Sequence, residues 1–523
     1  MKKIIILPLD DRACTYNFPK QIAEIYNIEA LLPPIEFMGN LEKIADREKI
    51  ISFIKAQKNI DGMVLAADTL AYGGLIPSRK TQGTFEQIIK NFEIIKELKN
   101  IYVCTTIQRI SDSNENQEEK EYWKDYGKLI HKYSYLIHEN KLIDFDSYQK
   151  GELTDILKPK LELLPEESLE EDLKKLKEQI PNEILEDYLN DRVRNLKVNM
   201  HLIEMVKKGE LDFLVISSDD SAKFGFNVIE RNILLQKIEV LGLKNKVILY
   251  PGADESVSVL TARLINKLEN FTPKFYVEYS DTEKKENSIT MYEGIPIKET
   301  LKFQINALGG EITNKLSDSE AIIYIHLSQE EQEDHYLKTI YKEKIIKVDN
   351  NIIENDINRI KQFLSDNKRI ILIDSAYANG ANHDFMFKLA ENIDLTNILA
   401  FSAWNTTGNR IGTAIAHAST KILTEKNKNN FEATYLQKEE NHYNFLLERF
   451  FDDWLYQGLE RLSFIEKNGF PLNSKQLEEL KNNLENRIKE VYTNNLNLKL
   501  NFYIDKIFFP WNRPFEVSIK LKK

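Results

Sequence analysis

The sequence predicts an α/β protein, an elaborated (β/α)8 barrel carrying a helical insertion and a small C-terminal β element. Three observations lead there. Short β-branched apolar runs alternate with longer segments whose apolar residues recur at i, i+3 and i+4. The runs are continuously apolar, as in parallel strands covered on both faces. Polar residues follow run after run, which suits loops converging on one centre; an open sheet gathers its ligand contacts at a switch point. Two doubly wound α/β domains meeting near residue 270 are the alternative.

In chain order, strands are expected at KIIILPL (3–9), IEALLP (28–33), DGMVLAA (61–67), NIYVCTT (100–106), DFLVISS (212–218) and KVILYP (246–251). They continue at KFYVEYS (274–280), AIIYIHL (321–327), RIILIDS (369–375) and ILAFSAW (398–404). Helices with one apolar face separate most of them, FEQIIKNFEIIKEL and VIERNILLQKIEVL among them. Residues 113–210 are rich in Glu and Lys at helical spacing and read as an insertion packed on the sheet, a binding tail being the other reading. Residues 424–493 are again helical, and the alternation of apolar and polar residues in LKLNFYIDKIFFPWNRPFEVSIKLKK marks a small antiparallel element. The expected regions are 1–285 (α/β, catalytic), 286–423 (α/β, completing or flanking the barrel) and 424–523 (helical, then β).

With 523 residues the chain buries a full core without metal or disulfide staples. Its two cysteines, Cys14 and Cys104, leave no disulfide framework and no thiolate zinc site. A formal net charge of -11 argues against nucleic acid or an anionic membrane as partner. The N-terminal apolar run is short and meets acids at once, which fits a first strand rather than a signal peptide. No apolar stretch is long enough to span a bilayer. A cytoplasmic location is expected, and the oligomeric state is left open.

Candidate chemistry gathers behind the strands. Asp10-Asp11, Asp219-Asp220 and Asp254-Glu255 each follow an apolar run. Adjacent carboxylates crowd negative charge, so a pKa must rise or a cation must bind; helix capping is the plainer role for an Asp in that place. The third strand is followed by Asp68, Tyr72, Gly73-Gly74 and Arg79, the fourth by Gln108 and Arg109. Arg109 suits a carboxylate or phosphate clamp, or a pairing with one of the acids. Later segments add Asp374 and Asn379 in DSAYANGANHD, and Trp404, Asn405 and Asn409 in AWNTTGNRIGTA. These suit sugar hydroxyls, a phosphate and a stacking platform, or equally turn, cap and core roles. No GxxxxGK[ST], no GxGxxG after a strand, no HExxH and no GxSxG is present. The eight histidines are scattered, which leaves only an all-carboxylate Mg2+ or Ca2+ site open as a metal centre.

Through LPLDDR (7–12), DTLAYGGLIPSR (68–79), the SDD after the fifth strand, PGADE (251–255) and AWNTTGNRIGTA (403–414), the chain resembles the bacterial family called domain of unknown function 4127 over nearly its full length. That resemblance supplies motif positions and no activity. Ala13 stands where many relatives have Pro. The SSDD segment also resembles the Asp-Asp pair of glycoside hydrolase family 84 and hyaluronidase-type enzymes, and GADE the Gly-x-Asp-Glu of family 20 hexosaminidases. Those resemblances imply substrate-assisted hydrolysis: one carboxylate steadies the substrate's 2-acetamido group and its neighbour protonates the leaving oxygen.

The expected function is therefore a glycoside hydrolase acting on a small carbohydrate, an N-acetylhexosaminide among the candidates, with no cofactor required. Asp219 orients the nucleophilic group and Asp220 is the general acid; Asp254 and Glu255 form the second catalytic pair. Asp10, Asp11, Asp68, Tyr72, Arg109, Asp374, Asn379, Trp404 and Asn405 bind substrate, and Asp10, Asp68, Asp219 and Asp254 are expected in one cleft. A carboxylate-bound Mg2+ or Mn2+ hydrolase or isomerase using Asp10, Asp11, Asp219 and Asp220 is the second reading. A non-catalytic sugar or metabolite sensor is the third.

Overall fold

The computed structural model of the protein describes residues 2–140, 148, 167–431, 434–495 and 502–522. Parts of the expected insertion (141–147 and 149–166) and of the C-terminal segments (432–433, 496–501 and 523) lie outside the described residues. The chain forms two compact units. A C-terminal unit joins Met1–Ile6 and Arg12–Leu31 to Asp254–Lys523, and a central unit holds Leu7–Asp11 and Leu32–Ala253. The expected boundary at 285 falls inside the C-terminal unit.

In the C-terminal unit, β1 (Lys2–Leu7) pairs in parallel with β2 (Ile28–Leu31). The helix Ala13–Ile25 connects them, and Ala13 is its first residue. In the central unit, β3 (Gly62–Ala66), β4 (Ile101–Ile107), β5 (Phe213–Ser218) and β6 (Val247–Pro251) lie side by side, all parallel. Every residue of β3, β4 and β5 is buried. That is why these strands read as unbroken apolar runs.

The C-terminal unit continues with β7 (Lys274–Tyr279), β8 (Glu311–Ile312), β9 (Ala321–His326), β10 (Glu333–Asp334), β11 (Ile370–Asp374), β12 (Tyr377–Ala378) and β13 (Ile398–Ser402). Its five-stranded sheet has the order β13-β11-β9-β7-β8, again all parallel. β10 and β12 form a separate two-residue parallel ladder. A large core cluster joins Leu372 and Phe401 of this sheet to Phe450, Phe451 and Trp454 of a π-helix, Phe450–Glu460. The chain closes on an antiparallel hairpin, β14 (Tyr503–Phe508) with β15 (Ser518–Lys522), as the alternation there predicts.

All ten predicted strands are present, close to their predicted bounds. They do not close into an eight-stranded barrel: among the described residues they divide between open parallel sheets. The arrangement is mixed α/β, nearer the alternative of two α/β domains. Closure depends on strand tilt and stagger, and strand periodicity carries neither. No helix among the described residues is long and apolar enough to cross a membrane.

Candidate functional site

In the central unit the strand register lines up Ile107, Ser218 and Pro251 across β4, β5 and β6. The ladder runs one step further, with Asp219 N–H donating to Ile107 O (3.1 Å) and Gly252 N–H to Ser218 O (3.1 Å). Gln108, Asp219 and Gly252 therefore leave the sheet at one edge, where parallel α/β sheets present their chemistry. Asp68 stands beside them, in the short helix Ala67–Ala71 that follows β3 directly. Thr69 ties this helix to the segment bearing Asp10 and Asp11, its hydroxyl donating to Pro8 O (2.7 Å) and Leu9 O (3.0 Å). Gly73, at φ 95°, makes the next turn against residues 44–45, and a Cβ there would meet Ala45 N at 2.9 Å.

Two arginines organise the acids. Arg79 Nη2 lies 2.6 Å from Asp219 Oδ2, and its Nη1 reaches Glu118 (3.0 Å) and Glu119 (3.3 Å). Arg109 bonds Asp220 (3.2 Å), Glu118 (3.0 Å) and Glu119 (3.2 Å). Four carboxyl groups, Glu118, Glu119, Asp219 and Asp220, thus face two guanidinium groups, an excess of two negative charges if all ionise, and Asp68 lies near enough to feel the charge of Asp219. The excess is relieved by protonation. Burial, then the charge of Asp219, push Asp220 up to about 7, with Arg109 and Arg79 opposing. Burial, with a smaller push from Asp219, raises Asp68 to about 7 as well.

The two raised acids differ in access. Asp68 is 1 % exposed and neither carboxylate oxygen has a hydrogen-bond partner among the described residues; Thr106 is near enough to oppose the shift without completing a bond. Asp220 keeps 30 % of its side chain exposed, against 12 % for Asp219. Its backbone sits at φ 37°, a conformation non-glycine residues seldom adopt and one that clusters at functional sites. Gln108, whose amide atoms have no partner among the described residues, lines a cavity of about 20 Å3 with Arg79, Arg109 and Glu119, enough for one water. Tyr72 is buried, with the Arg194 guanidinium 5.7 Å from its ring centre. Its phenol is raised by burial and then by the charge of Asp68.

The helix Asn182–Lys208 holds both arginine-bearing segments. Arg192 forms a bidentate pair with Glu230 (2.7 and 2.7 Å) and donates to the carbonyls of Gln108 (3.0 Å) and Arg109 (3.2 Å). Arg194 and Asn195 both bond Ser78 O, at 3.3 and 3.1 Å, fixing the residue before Arg79. The insertion is thus packed on the sheet and built into the site.

The remaining predicted site residues, Asp254, Glu255, Asp374, Asn379, Trp404 and Asn405, belong to the C-terminal unit; Asp10, Asp68 and Asp219 belong to the central one. Arg12 bonds both oxygens of Asp254 (3.3 and 2.7 Å), over a Trp511 ring 4.8 Å away. Asn405 Nδ2 approaches the same carboxylate at 3.4 Å, and Asn409 Oδ1 accepts Asp254 N–H at 3.2 Å. Glu255 is buried against Gly412, where a Cβ would come within 2.2 Å of its Cγ, so only glycine fits. Asp374 is wholly enclosed and accepts the N–H groups of Ala376 (3.1 Å) and Asn382 (2.6 Å), the bonding of a turn former. Asn379 bonds Asp334 (2.7 Å). Trp404 is buried, its backbone N–H donating to Asp453 Oδ2 (3.1 Å).

Sequence reasoning passed over several residues. Arg79 lies in LIPSRK, where no neighbour in sequence points to its partner, and Glu118 and Glu119 sit in a charged run that reads as solvated. The doublet Asp452-Asp453 lies inside a helix, where a search of strand ends does not look. Asp453 accepts from Arg449 (2.7 Å), Ala403 N–H (2.7 Å), Trp404 N–H (3.1 Å) and the Ser402 hydroxyl (3.1 Å), and so holds the loop after β13. The available signal was two acids inside RFFDDW, since charges among aromatics need partners. Among the described residues no group of three or more His, Cys, Asp and Glu is arranged to hold a metal ion.

The chain belongs to the family described as "Protein of unknown function (DUF4127)", whose model matches residues 4–520. No curated protein and no solved structure matches it.

Proposed function

We propose that this member of the DUF4127 family is a glycoside hydrolase acting on a small glycoside, an N-acetylhexosaminide first among the candidates, with its chemistry at Asp219 and Asp220. The observation that carries the reading is the division of labour between these adjacent acids. Asp219 is ion-paired to Arg79, while Asp220, the more exposed, is pushed up to about 7. A carboxyl group that keeps its proton near neutral pH beside an ion-paired neighbour is what acid-catalysed glycoside cleavage requires. Asp220 protonates the leaving oxygen and Asp219 orients the substrate's own acetamide, an arrangement exempt from the usual spacing of two carboxylates.

Purified protein screened on nitrophenyl glycosides, with N-acetylglucosaminide and N-acetylgalactosaminide included, tests the proposal. Turnover of at least one is expected, unchanged by chelator, and Asp220→Asn should lower kcat by about 10²- to 10⁴-fold, the span of one general acid. The loss should be smaller on nitrophenyl than on alkyl glycosides, because a good leaving group needs less protonation. No turnover by folded protein would refute the reading. Activity abolished by chelator and restored by Mg2+ would replace it with metal-dependent hydrolysis.

A further inference from the structure

In the C-terminal unit the sheet order β8-β7-β9-β11-β13 reverses direction between β7 and β9. Loops leaving such a pair part in opposite senses, and a crevice opens outside their carboxyl ends, where open α/β sheets hold ligands. A cavity of about 670 Å3 lies there, with Lys284 and Met291 on its wall from the loop after β7 and Gln332 and Asp334 from the loop after β9. Its size suits a small metabolite. A second cavity of about 20 Å3 shares Lys284, Glu330, Glu331 and Gln332 with it. Thr290 lines that smaller space, 4 % exposed and with no hydrogen-bond partner for its hydroxyl among the described residues. A buried hydroxyl left without a partner is costly unless a bound group completes it. The rim is braced, since β10 runs through the loop after β9 and pairs with β12.

Charge selects the occupant. The larger cavity is lined by Glu330, Glu331, Glu333, Asp334 and Glu343 against Lys284 and Lys338. Lys284 pairs with Glu331 (3.1 Å), Lys338 with Glu333, and Asp334 accepts from Tyr292, Asn379 and Leu337 N–H. Glu330 and Glu343 make no side-chain ion pair or hydrogen bond among the described residues. Apolar surface from Met291, Leu337, Tyr341 and Ile346 lies on the same wall. Such a lining repels the phosphate groups that doubly wound sheets often take. We infer that this cavity binds a small organic cation, an ammonium-bearing metabolite whose charge faces Glu330 and Glu343 and whose carbon frame lies on the apolar wall.

Calorimetric titration of the full chain at low salt with glucosamine and spermidine, and with glucose as the neutral match, tests the site. Saturable binding of at least one ammonium probe is expected, with glucose at least about tenfold weaker. The double variant Glu330→Gln/Glu343→Gln changes two exposed side chains and should weaken the ammonium probe by about tenfold, as two partly screened charge contacts would. Asp220→Asn should leave the affinity unchanged, which separates this site from the proposed hydrolytic one. Failure of both ammonium probes to bind, equal binding of glucose, indifference to the double variant, or a loss caused by Asp220→Asn would each overturn the inference.

Discussion

Asp68 is the clearest single-residue consequence of burying a carboxyl group behind a strand. Its carboxyl is raised from 3.8 to about 7, so the folded state holds the proton more tightly than the unfolded chain. The stability this provides is full below pH ~4 and is lost as pH rises through about 7. Asp68→Asn keeps the shape without the charge, so the stability of the variant relative to the parent should improve by on the order of 2–3 kcal/mol from pH 5 to pH 8. Hydrogen exchange of the β3 and β4 amides at both pH values measures this; a gap independent of pH would show that Asp68 is not held protonated. The doublet at 219–220 and Asp68 were legible because carboxylates behind apolar strands are conspicuous. Their electrostatics were not: Arg79 meets Asp219 from 140 residues away, and Arg12 meets Asp254 from 242. Nothing local in LIPSRK or GADES announces either partner.

At the scale of elements, the helix Asn182–Lys208 sets the position of Arg109 through a buried ion pair with Glu230. Arg192→Met should destabilise the protein by about 3–5 kcal/mol, because it strands Glu230 as an unpaired buried charge. Arg192→Met/Glu230→Met should regain much of that stability yet stay slow, since Gln108 and Arg109 still lose the donor to their carbonyls. Urea midpoints and turnover of the three proteins separate the effects; a double variant with parental turnover would show that the helix does not position Arg109. The strands of both sheets were readable from their unbroken apolar runs. The two-residue strands β8, β10 and β12 were not, being too short to carry a period. FEQIIKNFEIIKEL, read as one helix, divides into an α-helix at Phe85–Ile89 and a 3-10 helix at Lys90–Glu97, which a pattern of apolar spacing over four turns does not distinguish.

For the whole molecule, the alternation of strand and helix declared an α/β protein, but which strands share a sheet is a long-range choice that local patterns leave open. The ownership of the first residues follows from packing: the helix Ala13–Ile25 buries Phe18, Ile22 and Ile25, and Phe18 meets Phe445 edge-on at 5.3 Å within the C-terminal unit. Residues 254–523 expressed alone should therefore lack a cooperative melt, and fusion of residues 1–31 should restore one; equal melts would contradict the division. If Asp220 delivers a proton near neutral pH as proposed, the pH dependence of kcat/KM on the best glycoside reads that step. The rate is then expected to fall as pH rises through about 7, and Asp220→Asn to abolish this limb. A parental profile that is flat from pH 5 to 9, or an alkaline limb that survives in Asp220→Asn, would contradict it.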